Sequence, residues 1–121
     1  MEPLNRKHKL LNSFKYAFHG IWFMLRTQRN AQIHVAVAGL VTLAGIFFKI
    51  NSFEWILLVF AIGLVLAAEQ FNTAIEFLTD LVSPGTHEKA GRAKDISAGA
   101  VLVCAITAVM IGMIIFLPKL L

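Results

Sequence analysis

Residues 31–48 (AQIHVAVAGLVTLAGIFF) run for 18 residues without a formal charge. Two further apolar runs follow, at 55–68 (WILLVFAIGLVLAA) and 96–117. A bilayer-crossing helix needs roughly 17–25 apolar residues. Within lipid a lone segment can satisfy its backbone hydrogen bonds only as a helix. The pattern therefore predicts helices over 31–48, 55–82 and 96–117, the middle one continuing from its apolar half into the polar stretch Glu69–Val82. Trp22 and Trp55 fall close to the expected span ends, where aromatic residues settle at the interface. The first apolar run starts too far into the chain for a signal peptide.

Composition supports this reading. Apolar residues make up 58% of the 121 and charged residues only 15%, against roughly 45–50% and 25% in soluble domains. A disordered chain would be poor in apolar residues, and Cys104, the single cysteine, excludes a disulfide framework. The length suits one domain, 1–121. The net charge of +4 does not indicate nucleic acid, because apolar runs of bilayer length separate the basic groups. Arg6, Lys7, Lys9, Lys15, Arg26 and Arg29 precede residue 30, and Lys89, Arg92 and Lys94 share the link before the third span. Only Lys49 and Lys119 lie elsewhere. By the positive-inside rule the N-terminus and that link face the cytoplasm.

Leu10, Phe14, Ala17, Phe18, Ile21, Met24 and Leu25 recur at spacings of three and four, with basic residues on the other faces. This predicts an amphipathic helix over about 5–28 lying in the membrane surface. A helix packed against the span ends would show the same pattern.

Five of the seven carboxylates lie between residues 69 and 95. With about 100° per helical residue, Asn72, Thr73, Glu76 and Asp80 all fall within about 60° of Glu69. A carboxylate in the membrane costs roughly 2.5–3.5 kcal/mol on lenient insertion scales, so this stripe must face protein, water or a cation. Carboxylates one or two turns apart suit magnesium, which takes one or two of them plus phosphate oxygens. A further carboxylate off the metal can act as general base. The link SPGTHEKAGRAKD adds Gly85 and Gly91 for close backbone approach and His87, Arg92 and Lys94 as cations. Together these suit a magnesium nucleotide, although neither the Walker pattern nor a kinase Gly-rich loop is present.

The runs EQFNTAIEFLTDLV (69–82) and HEKAGRAKDISAGAVL (87–102) closely resemble the small bacterial integral-membrane diacylglycerol kinase family, which includes the undecaprenol kinases of Gram-positive bacteria. SFKYAFHG and RNAQIH also resemble family sequence, so the likeness covers nearly the whole chain. It implies an all-α membrane protein with a surface helix and three transmembrane helices, assembled as a homotrimer with sites shared between subunits in the bacterial inner or plasma membrane. The implied reaction moves the γ-phosphoryl group of ATP, with magnesium as cofactor, to the hydroxyl of a lipid alcohol.

The resemblance also implies roles. Glu69 matches the general base and, with Ala98, lies beside the lipid headgroup. Glu76 matches a metal ligand, and Asn72 a polar partner of nucleotide and base. Lys94 and Asp95 match the nucleotide-binding pair, Gly85, Thr86 and His87 the loop beside the phosphates, and Gly91 a close-approach position. Tyr16 matches an N-terminal nucleotide contact, and Lys9 a frequent basic position. Gln28 departs from the pattern, because the family commonly has a glutamate there that joins Glu76 on the metal. A neutral amide is the poorer magnesium ligand, so either metal binding leans more on Glu76 and the phosphates or a neighbour such as Asp80 compensates.

Other residues have plainer readings. Glu69 and Glu76 could serve as interhelical hydrogen-bond partners, and Asp80 could simply be solvated. Glu88 and Arg92 fit a surface i,i+4 pair. His34 fits an interfacial residue, Cys104 buried packing, and Gly39 and Gly45 close helix approach. Two other functions share some features. A small multidrug-type exporter also uses an intramembrane glutamate, and Gln28 makes a non-catalytic lipid-sensing relative conceivable. RNAQIH and KDISAGAVLV lean towards the undecaprenol branch.

Overall fold

The computed structural model describes residues 6–121, which form four helices: α1 (Arg6–Thr27), α2 (Arg29–Phe47), α3 (Ser52–Val82) and α4 (Glu88–Leu120). The start of α1 expected near residue 5 lies outside the described residues. The helices α2, α3 and α4 are each long and apolar enough to cross a membrane, and α1 is not, so the chain is a multi-pass membrane protein. Leu40, Leu43, Val59, Phe60, Leu102, Val103 and Ile114 are all exposed on these three helices. Apolar surface on this scale requires lipid or further protein against it.

All three long helices begin earlier than the apolar runs, α2 by two residues at Arg29, and local capping explains the larger shifts of α3 and α4. Asn51 accepts from the Glu54 backbone N–H at 2.9 Å while the Glu54 carboxylate accepts from the Asn51 N–H at 3.1 Å, a reciprocal capping box that starts α3 at Ser52 rather than 55. At α4, His87 Nδ1 accepts from the Lys89 N–H at 3.1 Å. The charged stretch EKAGRAKD is thereby wound into α4, which begins at Glu88 rather than 96. Its Glu88 and Arg92 form the expected surface ion pair, 2.7 Å apart.

The α2–α3 connection is a Schellman turn. Lys49 takes a left-handed φ of 52°, its N–H reaches the Ile46 carbonyl, and the Ile50 N–H reaches the Gly45 carbonyl at 3.1 Å. The turn folds Ile50 inward to join Leu58 of α3 and Ile115 of α4 in the buried core, against Phe48, Trp55 and Phe116. The core thus sits at one end of the molecule. Lys119 of α4 clamps that end further by donating to the Glu54 carboxylate of α3 at 2.7 Å. At the opposite end Lys94 of α4 pairs with Asp80 of α3, so α3 and α4 run antiparallel along their length. With about 1.5 Å per residue, the 31 residues of α3 span about 46 Å against a hydrocarbon core of about 30 Å. That helix is thus about 16 Å longer than a bilayer core, and its polar residues are gathered in its C-terminal turns.

Gly45 permits the tight end. A Cβ there would stand 2.8 Å from Trp55 Cη2 and 3.0 Å from Ile50 Cδ1. Gly45→Val should therefore destabilise the fold by about 1–3 kcal/mol, the usual cost of overpacking, read as a lowered unfolding temperature in detergent. Gly39, by contrast, has no atom within 4 Å of such a Cβ among the described residues, so Gly39→Ala in the same assay should be neutral or mildly stabilising.

Candidate active site

The stripe expected on α3 forms a polar column running from inside the bundle to its open end. Glu69, Asn72 and Thr73 are buried, Glu76 is half-buried and Asp80 exposed. Helical periodicity places them together, and α4 supplies what periodicity could not indicate. Ser97 Oγ lies 2.7 Å from Asn72 Oδ1, to which it donates, and 2.9 Å from the Lys94 carbonyl. Asn72 Nδ2 in turn donates to Glu76 Oε1 at 3.3 Å. The Asn72 amide is thus oriented, its oxygen held by α4 and its NH2 turned to the carboxylate. Ser97 lies three residues beyond Lys94 on one face of α4, a signal that the apolar run around it masks.

Above this column lies a cavity of about 330 Å³ lined by Asp80, Ser83, Pro84, Gly85, Thr86, His87, Ala90, Gly91 and Lys94. Five of the residues singled out from the sequence, Gly85, Thr86, His87, Gly91 and Lys94, therefore line one space. Lys94 Nζ is held on the Asp80 carboxylate, which makes Asp80 part of this site and not simply solvated. The cavity also adjoins the N-terminus of α4, where unpaired N–H groups and the helix dipole favour an anion. Neither Gly85 nor Gly91 has a positive φ, and a Cβ on either would meet nothing within 4 Å among the described residues. Glycine at these positions serves no packing need of this chain.

The remaining candidates stand apart. Lys9 and Tyr16 are exposed on α1, Tyr16 by 68%. Asp95 and Ala98 are exposed on α4. Gln28 caps α2 in extended conformation, φ −102° and ψ 115°, without a side-chain cap bond. It marks the bend between α1 and α2, and Phe23, five residues earlier, packs on Phe77 with ring centroids 5.9 Å apart. That contact ties the bend to the Glu76 end of α3.

Glu69 lies deeper, 2% exposed, with Oε2 lacking a hydrogen-bond partner among the described residues. His34 Nε2 of α2 is 3.8 Å from that oxygen. His34 is therefore turned towards the acidic stripe, a contact between helices that no spacing along the chain could indicate. Beside it, α2, α3 and α4 form a half-open apolar cavity of about 530 Å³, lined by residues including Val37, Val65, Ala105 and Val109, with His34 as its one polar lining residue among the described residues. Among the described residues no three His, Cys, Asp or Glu side chains converge as a metal-ligand set.

This geometry can now be set beside known proteins. Residues 15–116 match the family model described as prokaryotic diacylglycerol kinase. The chain is 41% identical over 116 residues to an undecaprenol kinase of Bacillus subtilis, covering 96% of this chain and 94% of that protein. It is also 41% identical over 113 residues to a diacylglycerol kinase of Synechocystis, covering 93% of this chain and 65% of the other. A diacylglycerol kinase of Escherichia coli is 28% identical over 105 residues, with 84% of each chain covered.

Proposed function

The chain belongs to the prokaryotic diacylglycerol kinase family and is an ATP-dependent lipid kinase, and from that premise we propose how its residues divide the work. Membership of a kinase family displaces the exporter reading. The single observation carrying the assignment of roles is the geometry of the column. A buried carboxylate, Glu69, lies at the apolar end, and a glycine-containing cavity that carries His87 and the Lys94–Asp80 pair lies at the other.

Glu69 is the general base. It takes the proton of the lipid hydroxyl as that oxygen attacks the γ-phosphorus. The bond from that phosphorus to the β–γ bridging oxygen breaks, and ADP leaves. Phosphoryl transfer of this kind depends chiefly on positioning and on charge stabilisation. The triphosphate enters by the cavity formed by Gly85, Thr86, His87 and Gly91, where Lys94 exchanges its Asp80 partner for a phosphate, and runs along the column past Glu76 so that the γ-phosphate approaches Glu69. Asn72, fixed by Ser97, bridges base and nucleotide. Lys9, Tyr16 and Asp95 complete the nucleotide site, and Ala98 lies beside the lipid headgroup.

The residues fit magnesium that arrives with the nucleotide. Magnesium commonly takes one or two carboxylates plus substrate phosphates rather than a full protein cage. Glu76 would hold it, its Oε1 already oriented by Asn72, with the Gln28 amide oxygen a weaker second ligand. When bound, the ion neutralises charge on the transferring phosphoryl group.

The lipid substrate is a long-chain alcohol whose hydrocarbon lies in the apolar cavity beneath His34, which brings its hydroxyl end towards Glu69. The preferred alcohol is undecaprenol, on the strength of RNAQIH and KDISAGAVLV and of a likeness to the Bacillus subtilis enzyme that extends over nearly both chains. Subunits associate as a trimer that covers the exposed apolar faces and shares sites. The site end faces the cytoplasm, where ATP is available, and α1 lies along the membrane surface.

Gly91→Ala tests the cavity. Replacing a glycine inside a helix by alanine should stabilise the fold by about 0.5–1 kcal/mol, because the new Cβ meets nothing within 4 Å among the described residues. The same Cβ intrudes where phosphates approach, so the KM for ATP should rise severalfold. Thermal unfolding and ATP titration of one sample read both. A stabilised variant with unchanged KM would remove Gly91 from the nucleotide site.

A further inference from the structure

The mechanism leaves one feature of the base unaccounted for. Glu69 Oε2 is buried without a hydrogen bond among the described residues. Leaving a buried polar atom unpaired costs about 1–3 kcal/mol, and more when it is charged. The terminal torsion of a glutamate is also soft, so a carboxylate with Oε2 unheld does not keep a lone pair aimed at the hydroxyl. Among the described residues, the one ion-pair partner of Glu69 is His34, with Nε2 3.8 Å from Oε2. That separation is about 1 Å longer than a charge-assisted hydrogen bond, and such bonds are often long before substrate binds.

Three observations converge on His34. It comes from α2, while Asn72, Glu76, Ser97 and Lys94 belong to α3 and α4, so it approaches the base from a helix that the rest of the column does not use. His34 lines the apolar cavity, which Glu69 does not, while its Nε2 stands 3.8 Å from the Glu69 carboxylate. Among the described residues it is also the single polar one lining that cavity, a place where an imidazole has no packing advantage over an aliphatic side chain.

We propose that His34 is the positioning residue of the base: its Nε2–H closes onto Glu69 Oε2 when substrates bind and leaves the other carboxylate oxygen aimed at the lipid hydroxyl. The proposal rests on the reading of Glu69 as general base. It assigns His34 no contact with the phosphates.

Three variants, His34→Leu, His34→Gln and His34→Asn, test this in the full chain in mixed micelles, with undecaprenol and with diacylglycerol as acceptors. Glutamine places an N–H donor near the position of Nε2 but cannot take up a proton, and asparagine is too short to reach. His34→Leu should lower kcat by about 10–100-fold, the scale on which small misplacements of catalytic groups act, with the KM for ATP within twofold of the parent. His34→Gln should recover kcat to within about threefold of the parent, and His34→Asn should not. Parent-like kcat in His34→Leu overturns the proposal, as does a His34→Gln variant no better than His34→Leu. If His34→Leu does not fold, the comparison of Gln with Asn decides alone, and equal activities overturn it. Glu69→Gln is run in parallel. Full turnover there removes the premise and the proposal with it, whereas an inactive Glu69→Gln beside a parent-like His34→Leu defeats the proposal alone.

Discussion

Glu69→Gln should abolish phosphoryl transfer, lowering kcat by about 10²–10⁴, the range a general base contributes, while ATP binding stays within twofold of the parent. The substitution keeps the size and shape of a side chain that is 2% exposed and removes its ability to take a proton. The packing of α3 is otherwise undisturbed, and the nucleotide cavity lies more than two helical turns further along the helix. Unfolding temperature should hold or rise, because an amide costs less to bury than a carboxylate. Single-turnover kinetics with labelled ATP distinguish a lost chemical step from lost binding. Normal turnover in a folded Glu69→Gln variant would withdraw the base assignment.

Glu76→Gln should raise the magnesium concentration for half-maximal activity at least tenfold, with a smaller loss of kcat at saturating metal. The reasoning is again isosteric. Asn72 Nδ2 donates to Glu76 Oε1, and a glutamine carbonyl can accept the same bond, so the link from Ser97 through Asn72 survives. What disappears is one negative charge, in a site whose other proposed ligand, Gln28, is already neutral. Charge count largely sets the affinity of hard-cation sites, so this chain should be more sensitive at position 76 than a relative with glutamate at position 28. Adding Gln28→Glu to Glu76→Gln should therefore recover part of the magnesium affinity. An unchanged magnesium dependence in Glu76→Gln would remove that residue from the metal site.

Much of the fold was legible because the membrane imposes it. Uncharged runs of 14–22 residues leave a chain few options beyond spanning helices, and the three long helices lie where the runs lie. The stripe from Glu69 to Asp80 was equally legible, since one helix and its 100° step suffice to assemble it. The helix starts were harder. Apolar content alone begins α3 at Trp55 and α4 at Ile96, whereas the Asn51–Glu54 capping box and the His87 cap move them to Ser52 and Glu88.

The rest depended on contacts between helices, which periodicity does not encode. Asp80 and Lys94 are 14 residues apart and meet only because the link 83–87 folds α4 back on α3. Ser97 looks like an incidental hydroxyl in an apolar run until α4 sets it against Asn72. His34 reads as an interfacial residue on α2 alone and becomes a neighbour of the base only once α2 lies against α3. Family resemblance named the residues proposed to surround the phosphates, but it gave no role to Asp80 on Lys94 or to Ser97 on Asn72.

The most direct test of the account is transfer of labelled γ-phosphate from ATP in mixed micelles containing undecaprenol or diacylglycerol, with and without magnesium, for the parent chain and Glu69→Gln. The account expects magnesium-dependent label on the lipid hydroxyl, more on undecaprenol than on diacylglycerol, and none above background in Glu69→Gln. Label recovered on neither lipid from folded parent protein, or equal transfer by parent and Glu69→Gln, would contradict it.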